Sequence, residues 1–156
     1  MLRTFGRPAL EDQAAALADI ARRRGLTLLI AADPDLAQRS GAAGVHWPQA
    51  RLAEAALWRG RFTVMTASAH DPQAARRAAR VCDLVFVSPV FESNSPSAGR
   101  PMGLFRAAAY ARRTPAPVYA LGGVSLKTAA RLRGLGLSGA AAVEALAAGE
   151  QKTRQA

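Results

Sequence analysis

The stretch Ala120-Leu121-Gly122-Gly123-Val124 decides the fold when it is read with Val85-Phe86-Val87-Ser88-Pro89-Val90-Phe91 upstream. Each is an apolar, partly β-branched run that ends in residues suited to a ligand. At Gly122-Gly123 two residues without Cβ allow a sharp turn and let N–H groups approach a phosphate. A helix-forming run, Leu126 to Leu135, begins directly afterwards and adds donors and a favourable dipole. A glycine pair alone is a weak signal, and a tight strand-to-helix turn explains it equally well.

The same alternation extends in both directions. Helices are expected at Pro8–Arg24, Pro34–Ser40, Arg51–Arg59, Pro72–Arg80, Gly103–Arg113, Leu126–Leu135 and Val143–Ala148. Strands are expected at Thr27–Ala31, Gly44–His46, Phe62–Thr66, Leu84–Val87, Val118–Leu121 and Gly139–Ala142. Pro34 and Pro72 suit first helical positions, Asp71 and Ser125 suit N-caps, and Gly25, Gly60 and Gly134 suit helix ends. Strands recurring about every 20 residues, each followed by a helix, mean βαβ units and a parallel sheet, doubly wound or closed as a barrel. Polar residues cluster just after the strands: Asp33, His46 and Gln49, Ser68 and His70, Ser93 and Asn94. That single-ended placement favours the α/β TIM-type barrel. Met1 to Gly6 read as the tail of a strand, so the barrel is expected to be incomplete, without its first strand and helix.

Composition narrows the class. The 156 residues form one expected domain, 1–156, and half are apolar, enough for a core. No apolar run reaches the roughly 18 residues of a membrane span, and no signal-peptide pattern opens the chain. The single Cys82 forms no internal disulfide, which fits a cytoplasmic location; beside Asp83 it reads as a small core residue. The net charge is +10. It comes almost wholly from arginines spread along predicted helices, with no lysine-rich tail and no aromatic interleaving. This reads as solvated helix faces, with no specific nucleic-acid partner and no membrane.

In order and spacing, five motifs resemble the thiamine phosphate synthase and thiazole tautomerase superfamily over nearly the whole chain. They are Leu29-Ile30-Ala31-Ala32-Asp33; Gly44-Val45-His46-Trp47-Pro48-Gln49-Ala50-Arg51; Ser68-Ala69-His70; Asp83 through Ser93; and Ala120 through Val124, with Gly103 before a helix. The resemblance implies a TIM-type barrel that joins a hydroxymethylpyrimidine pyrophosphate to a thiazole phosphate with Mg²⁺. It makes Asp33 a metal ligand and Ser68 a pyrophosphate-side catalytic hydroxyl, with Arg3 as a second catalytic candidate. Gly103, Gly122, Gly123 and Val124 form the phosphate end, and Gln49 and His70 join the substrate site. The partner is then a phosphorylated small molecule, and a homo-oligomer is expected to cover the open barrel edge.

Departures from the family pattern are as informative. Arg51 stands where a second metal-binding aspartate belongs, Ala32 replaces an asparagine, and Phe5 and Pro96 replace lysines. Glu144 replaces a hydroxyl residue at the phosphate, and Pro89 replaces the histidine of the tautomerase branch. Asp33 also fits a simple N-cap of the Pro34 helix. His46 and His70 fit either ligand contact or structural hydrogen bonding, and Trp47 is expected at the barrel mouth. The resulting expectation is a thiamine phosphate synthase-like protein of thiamine biosynthesis with weakened or lost catalysis. A non-catalytic phosphate-binding barrel and a basic interaction protein are the alternatives.

Overall fold

A computed structural model describes residues 1–3, 10–93 and 99–143. Its strands are β1 (Leu2–Arg3), β2 (Leu29–Ala31), β3 (Gly44–Trp47), β4 (Val64–Ala69), β5 (Leu84–Val87), β6 (Val118–Ala120) and β7 (Gly139–Ala140). All pair in parallel, in chain order β1 to β7. A doubly wound sheet reverses its strand order at a switch point. This sheet never reverses, so the winding is that of a TIM-like barrel. The helices are α1 (Leu10–Arg23), α2 (Pro34–Ser40), α3 (Leu52–Ala55), α4 (Pro72–Ala78), α5 (Gly103–Arg113) and α6 (Leu126–Ala129).

Capping chemistry sets three of the six described helix starts. Asp33 accepts from Leu36 N at 2.9 Å, Asp71 accepts from Ala74 N at 2.7 Å, and Ser125 and Thr128 form a reciprocal capping box. Two expected helices are shorter than their sequence pattern. The run 51–59 breaks into 3₁₀ turns on either side of α3, and the run 126–135 gives only α6 and a 3₁₀ turn at Ala130–Leu132. The expected strand Phe62–Thr66 is displaced to Val64–Ala69, because Phe62 packs against Trp58 in the preceding turn.

The sheet has two unlike faces. Toward the helices it presents Ile30, Val45, Trp47, Met65, Ala67, Val85, Val87 and Val118, all buried. Trp47 is therefore a core residue on the helix side and not a ring at the mouth, and its indole Nε1 finds no partner there. Toward the inside, the register aligns Arg3, Ala31, His46 and Thr66, then Ser68, Phe86 and Tyr119. Phe86 stands edge-on to both His46 and Tyr119, at 5.5 and 5.8 Å between centroids. Ser68, Phe86 and Tyr119 are only half-buried, so this inner face is open. Gly44 lies between β2 and β4, where a Cβ would come within 1.6 Å of the Val64 carbonyl oxygen.

His46 is the one buried histidine. Nδ1 lies 2.8 Å from Thr66 Oγ1 and Nε2 lies 2.8 Å from Ser68 Oγ. Burial first, then the nearby Arg3 charge, lowers its pKa from 6.5 to about 4.

Two outcomes follow for stability. Gly44→Ala destabilises by about 3 kcal/mol or more in urea unfolding, because the clash is with backbone, while Gly99→Ala is near neutral. Lowering the pH from 6.5 to 4 removes on the order of 3 kcal/mol through His46, since over that window the unfolded chain takes up a proton that the folded chain refuses. The contribution is fully present above 6.5. Unfolding curves at several pH values show the slope in the parent and a flatter profile in His46→Gln.

Candidate functional site

Parallel strands bring every strand C-terminus to one end, and the sequence-predicted residues gather at that mouth. Ser68 is inside β4 and not after it. Its hydroxyl is oriented by His46, and Arg3 lies on the same inner face near enough to depress the histidine. Ser68, His46 and Arg3 therefore form one group. His46 is a poor base for that hydroxyl, because its protonated form is disfavoured. It acts as a neutral bridge that fixes two hydroxyls.

A second group joins the loops after β3 and β4. Gln49 Oε1 accepts from the His70 backbone N–H at 2.7 Å, and Gln49 Nε2 donates to Asp71 Oδ2 at 2.9 Å. Hydrogen bonds from Ala74 N first, then from Gln73 N and Gln49, hold Asp71 below the usual carboxylate range. His70 Nδ1 donates to the Ser88 carbonyl at 2.7 Å, which leaves Nε2 as the ring atom facing outward chemistry. Both ends of the Gln49 amide are thus engaged in clamping the loops. His70 retains one ring nitrogen for a ligand.

The third group surrounds Asp33. Its Oδ1 caps α2. Arg51, the replacement for a carboxylate, donates Nη1–H to the Ala32 carbonyl at 2.5 Å and grips Glu54 through Nε at 2.8 Å and Nη2 at 2.5 Å. The Glu54 hydrogen bond first, and the Asp33 charge last, raise the Arg51 pKa. The sequence-predicted metal ligand therefore stands beside a guanidinium. Among the described residues no three of His, Cys, Asp and Glu come together as a metal site. The donors present do not fit an unaided Mg²⁺ site, which calls for several hard oxygens in octahedral array.

The fourth group is the Gly122-Gly123 turn. A Cβ on Gly122 would lie 2.7 Å from Pro89 Cα, and one on Gly123 would lie 2.1 Å from the Glu92 carbonyl oxygen. Both residues also have positive φ, +88° and +64°. The turn is thus wedged against the loop after β5. Its carbonyls are engaged: Leu121 O by Val90 N, Gly122 O by Phe91 N, Gly123 O by Thr128 Oγ1. The N–H groups of Gly122, Gly123 and Val124 donate to no described residue. The helix behind them is weaker support than its sequence implies, because α6 is four residues long and caps itself. Gly103 does not add a free donor, since its N–H donates to Val90 O at 3.1 Å.

Other expectations are also located. Cys82 is buried, with its thiol pushed up to about 12 by burial first and by Asp83, so it is no nucleophile. No helix among the described residues is long and apolar enough to cross a membrane. Phe5, Asn94, Pro96, Glu144 and the helix expected over 143–148 beyond Val143 lie outside the described residues.

With this geometry in place, comparison with known proteins is direct. A family profile described as thiamine monophosphate synthase matches residues 2–146. The chain is 32% identical to a thiamine-phosphate synthase of Chloroflexus aurantiacus, covering 93% of this chain and 68% of the relative. It is 31% identical to a putative thiamine-phosphate synthase of Geobacter sulfurreducens, covering 89% and 67%. In fold it matches the thiamine phosphate pyrophosphorylase of Pyrococcus furiosus with a TM-score of 0.74 at 19% identity, over 90% of this chain and 69% of that one. It also matches FabK of Thermotoga maritima with a TM-score of 0.73 at 14% identity, over 92% and 49%. The match over nearly the whole chain and the synthase relatives above 30% identity agree with the motifs at the mouth: the chain belongs to the thiamine monophosphate synthase family.

Proposed function

We propose that this chain acts in thiamine biosynthesis as a synthase-type barrel, binding a phosphorylated small molecule at the mouth with catalysis much reduced. The observation that carries the binding half is the Gly122–Val124 turn, where three N–H groups project without a described acceptor while the carbonyls of Leu121, Gly122 and Gly123 are held. The catalytic half rests on the Arg51–Asp33 neighbourhood. Ser68 and Arg3 remain candidates for the pyrophosphate side, and Gly122, Gly123 and Val124 for the phosphate side. His70 offers Nε2 between them. Because the donors near Asp33 do not fit Mg²⁺ unaided, no step is routed through the ion. In this reading 1–156 is a single cytoplasmic barrel domain. Among the described residues β1 and β7 each have one neighbour, as in an incomplete barrel, and a second copy covers those edges.

Two measurements test the reading. Hydroxymethylpyrimidine pyrophosphate and thiazole phosphate, incubated with the protein, give turnover well below the ~1 s⁻¹ low end of ordinary enzymes. Arg51→Asp alone does not restore it, because Phe5 and Pro96 still stand where the family pattern has lysines. Turnover at an ordinary rate overturns the loss of catalysis. In crystals grown with sulfate, an anion lies against the backbone of Gly122–Val124. An ordered anion beside Asp33, with the glycine turn empty, refutes the placement. Pyrophosphate binding by calorimetry is expected to be similar in Mg²⁺ and in EDTA, and a large gain with Mg²⁺ restores the metal site.

A further inference from the structure

The end of the barrel opposite the mouth carries an arrangement that the reading above does not use. In a parallel, chain-ordered sheet every helix C-terminus and every helix-to-strand loop reaches that one end. Arg24 follows α1, Arg59 and Arg61 follow the turn after α3, and Arg80 follows α4. Arg112 and Arg113 close α5, and Arg133 ends the turn after α6. All are exposed, and none forms an ion pair with a described residue. The carboxylates at this end are Asp19, paired with Arg22 and Arg23, and Asp83, whose Oδ2 accepts from Met65 N. Seven of the nineteen arginines, scattered in sequence, thus share one rim.

Helix dipoles account for arginines in a last turn, such as Arg112 and Arg113. They do not account for Arg59, Arg61 and Arg80, which lie past the helix ends. The segment Trp58-Arg59-Gly60-Arg61-Phe62 is decisive. The absence of aromatic interleaving, read from the charge pattern, fails here. Trp58 and Phe62 stack at 5.9 Å and 31°, and the Arg61 guanidinium lies 5.4 Å over the Trp58 ring. Both rings are half-buried, anchored in the fold with an edge or face left to solvent.

We propose that this rim is a docking surface for single-stranded nucleic acid, with the Trp58–Phe62 segment at its centre and the surrounding arginines on the phosphates. Unstacked bases have π faces for the tryptophan and the guanidinium, whereas a duplex presents only backbone to them. Arginine rather than lysine supplies the charge, and a planar guanidinium both stacks on a base and forks onto phosphate oxygens. Exposed Leu26 and Leu57 at the same end, 66% and 75% accessible, make an anionic lipid surface the rival occupant.

The experiment measures anisotropy of a labelled oligonucleotide of about 20 thymidines or uridines at about 50 mM salt, with tryptophan emission followed in parallel. Binding is expected with quenching of Trp58, since Trp47 is buried. Arg59→Glu/Arg61→Glu lowers affinity about tenfold or more, and flattens the salt slope by about 1.4 if two phosphates are lost. Arg112→Glu/Arg113→Glu, on another element, does the same and serves if the first variant misfolds by circular dichroism. Arg100→Glu, near the mouth, leaves affinity unchanged. No binding at low salt, equal losses in Arg100→Glu, or equal binding of duplex without quenching overturns the proposal. So does binding to phosphatidylserine vesicles with none to the oligonucleotide.

Discussion

One constraint governs this molecule: seven strands run parallel and in chain order, so every connection between them has the same polarity. Each strand C-terminus, and the N-terminus of the helix after it, meets at one end. Each helix C-terminus meets at the other. Nothing about an individual motif decides this. The hydrophobic runs bury Ile30, Val45, Met65, Val85 and Val118 against helices on one side, and right-handed crossovers that all stay on that side give the sequential order. Once that is settled, residues far apart in sequence become neighbours by position in the repeat.

At the mouth, sterics and polarity make competing demands on the same groups. Gly122 and Gly123 are glycines first because Pro89 and Glu92 press against them, and the open N–H groups are a consequence of how that turn must bend. Asp33 is an N-cap first. Gln49 is a clamp with both amide ends occupied. His46 is a buried bridge whose proton affinity has been lowered by its surroundings. These site positions are thus filled by residues that also have structural partners of their own. Arg51 is another such residue. It satisfies Glu54 and the Ala32 carbonyl, holds its loop, and brings a positive charge to the side where a metal would need a negative one.

Much of this was legible in the sequence. α2 and α5 match their expected bounds: Asp33 and Pro34 open α2 and Gly41 closes it, while α5 follows its apolar spacing without a side-chain cap. The barrel winding was legible from polar residues confined to strand ends. Less legible were the places where tertiary contact overrides local pattern. Phe62 reads as the start of a strand by β-propensity, but stacking on Trp58 draws it into the turn. The 126–135 run reads as three turns of helix, yet closes after one turn and a 3₁₀ segment. Trp47 reads as a mouth residue by its distance from the strand end, but the two-residue alternation of β3 sends it to the helix side. The commitments of Gln49 and His46 are invisible in sequence, because each depends on a partner about 20 residues away, and that of Gly103 depends on Val90 across the loop after β5.

The same polarity gives the molecule an electrical axis. Glu11, Asp12 and Asp35 occupy first helical turns, at the mouth end, with Asp33, Asp71 and Glu92 in the loops above them. Arginines fill the opposite rim. Helix dipoles favour this segregation turn by turn, and a parallel barrel adds the turns in phase instead of cancelling them. Under that axis, the phosphorylated ligand proposed above feels a long-range pull toward the rim, so short-range backbone donors at the mouth have to hold it. The two ends therefore select by different physics. On the proposed reading, the mouth recognises a phosphate through directional N–H groups in a shaped turn. The rim, as proposed, recognises an extended anion through repeated charge and ring stacking, and such a surface discriminates by length and strandedness more than by chemistry of any one unit.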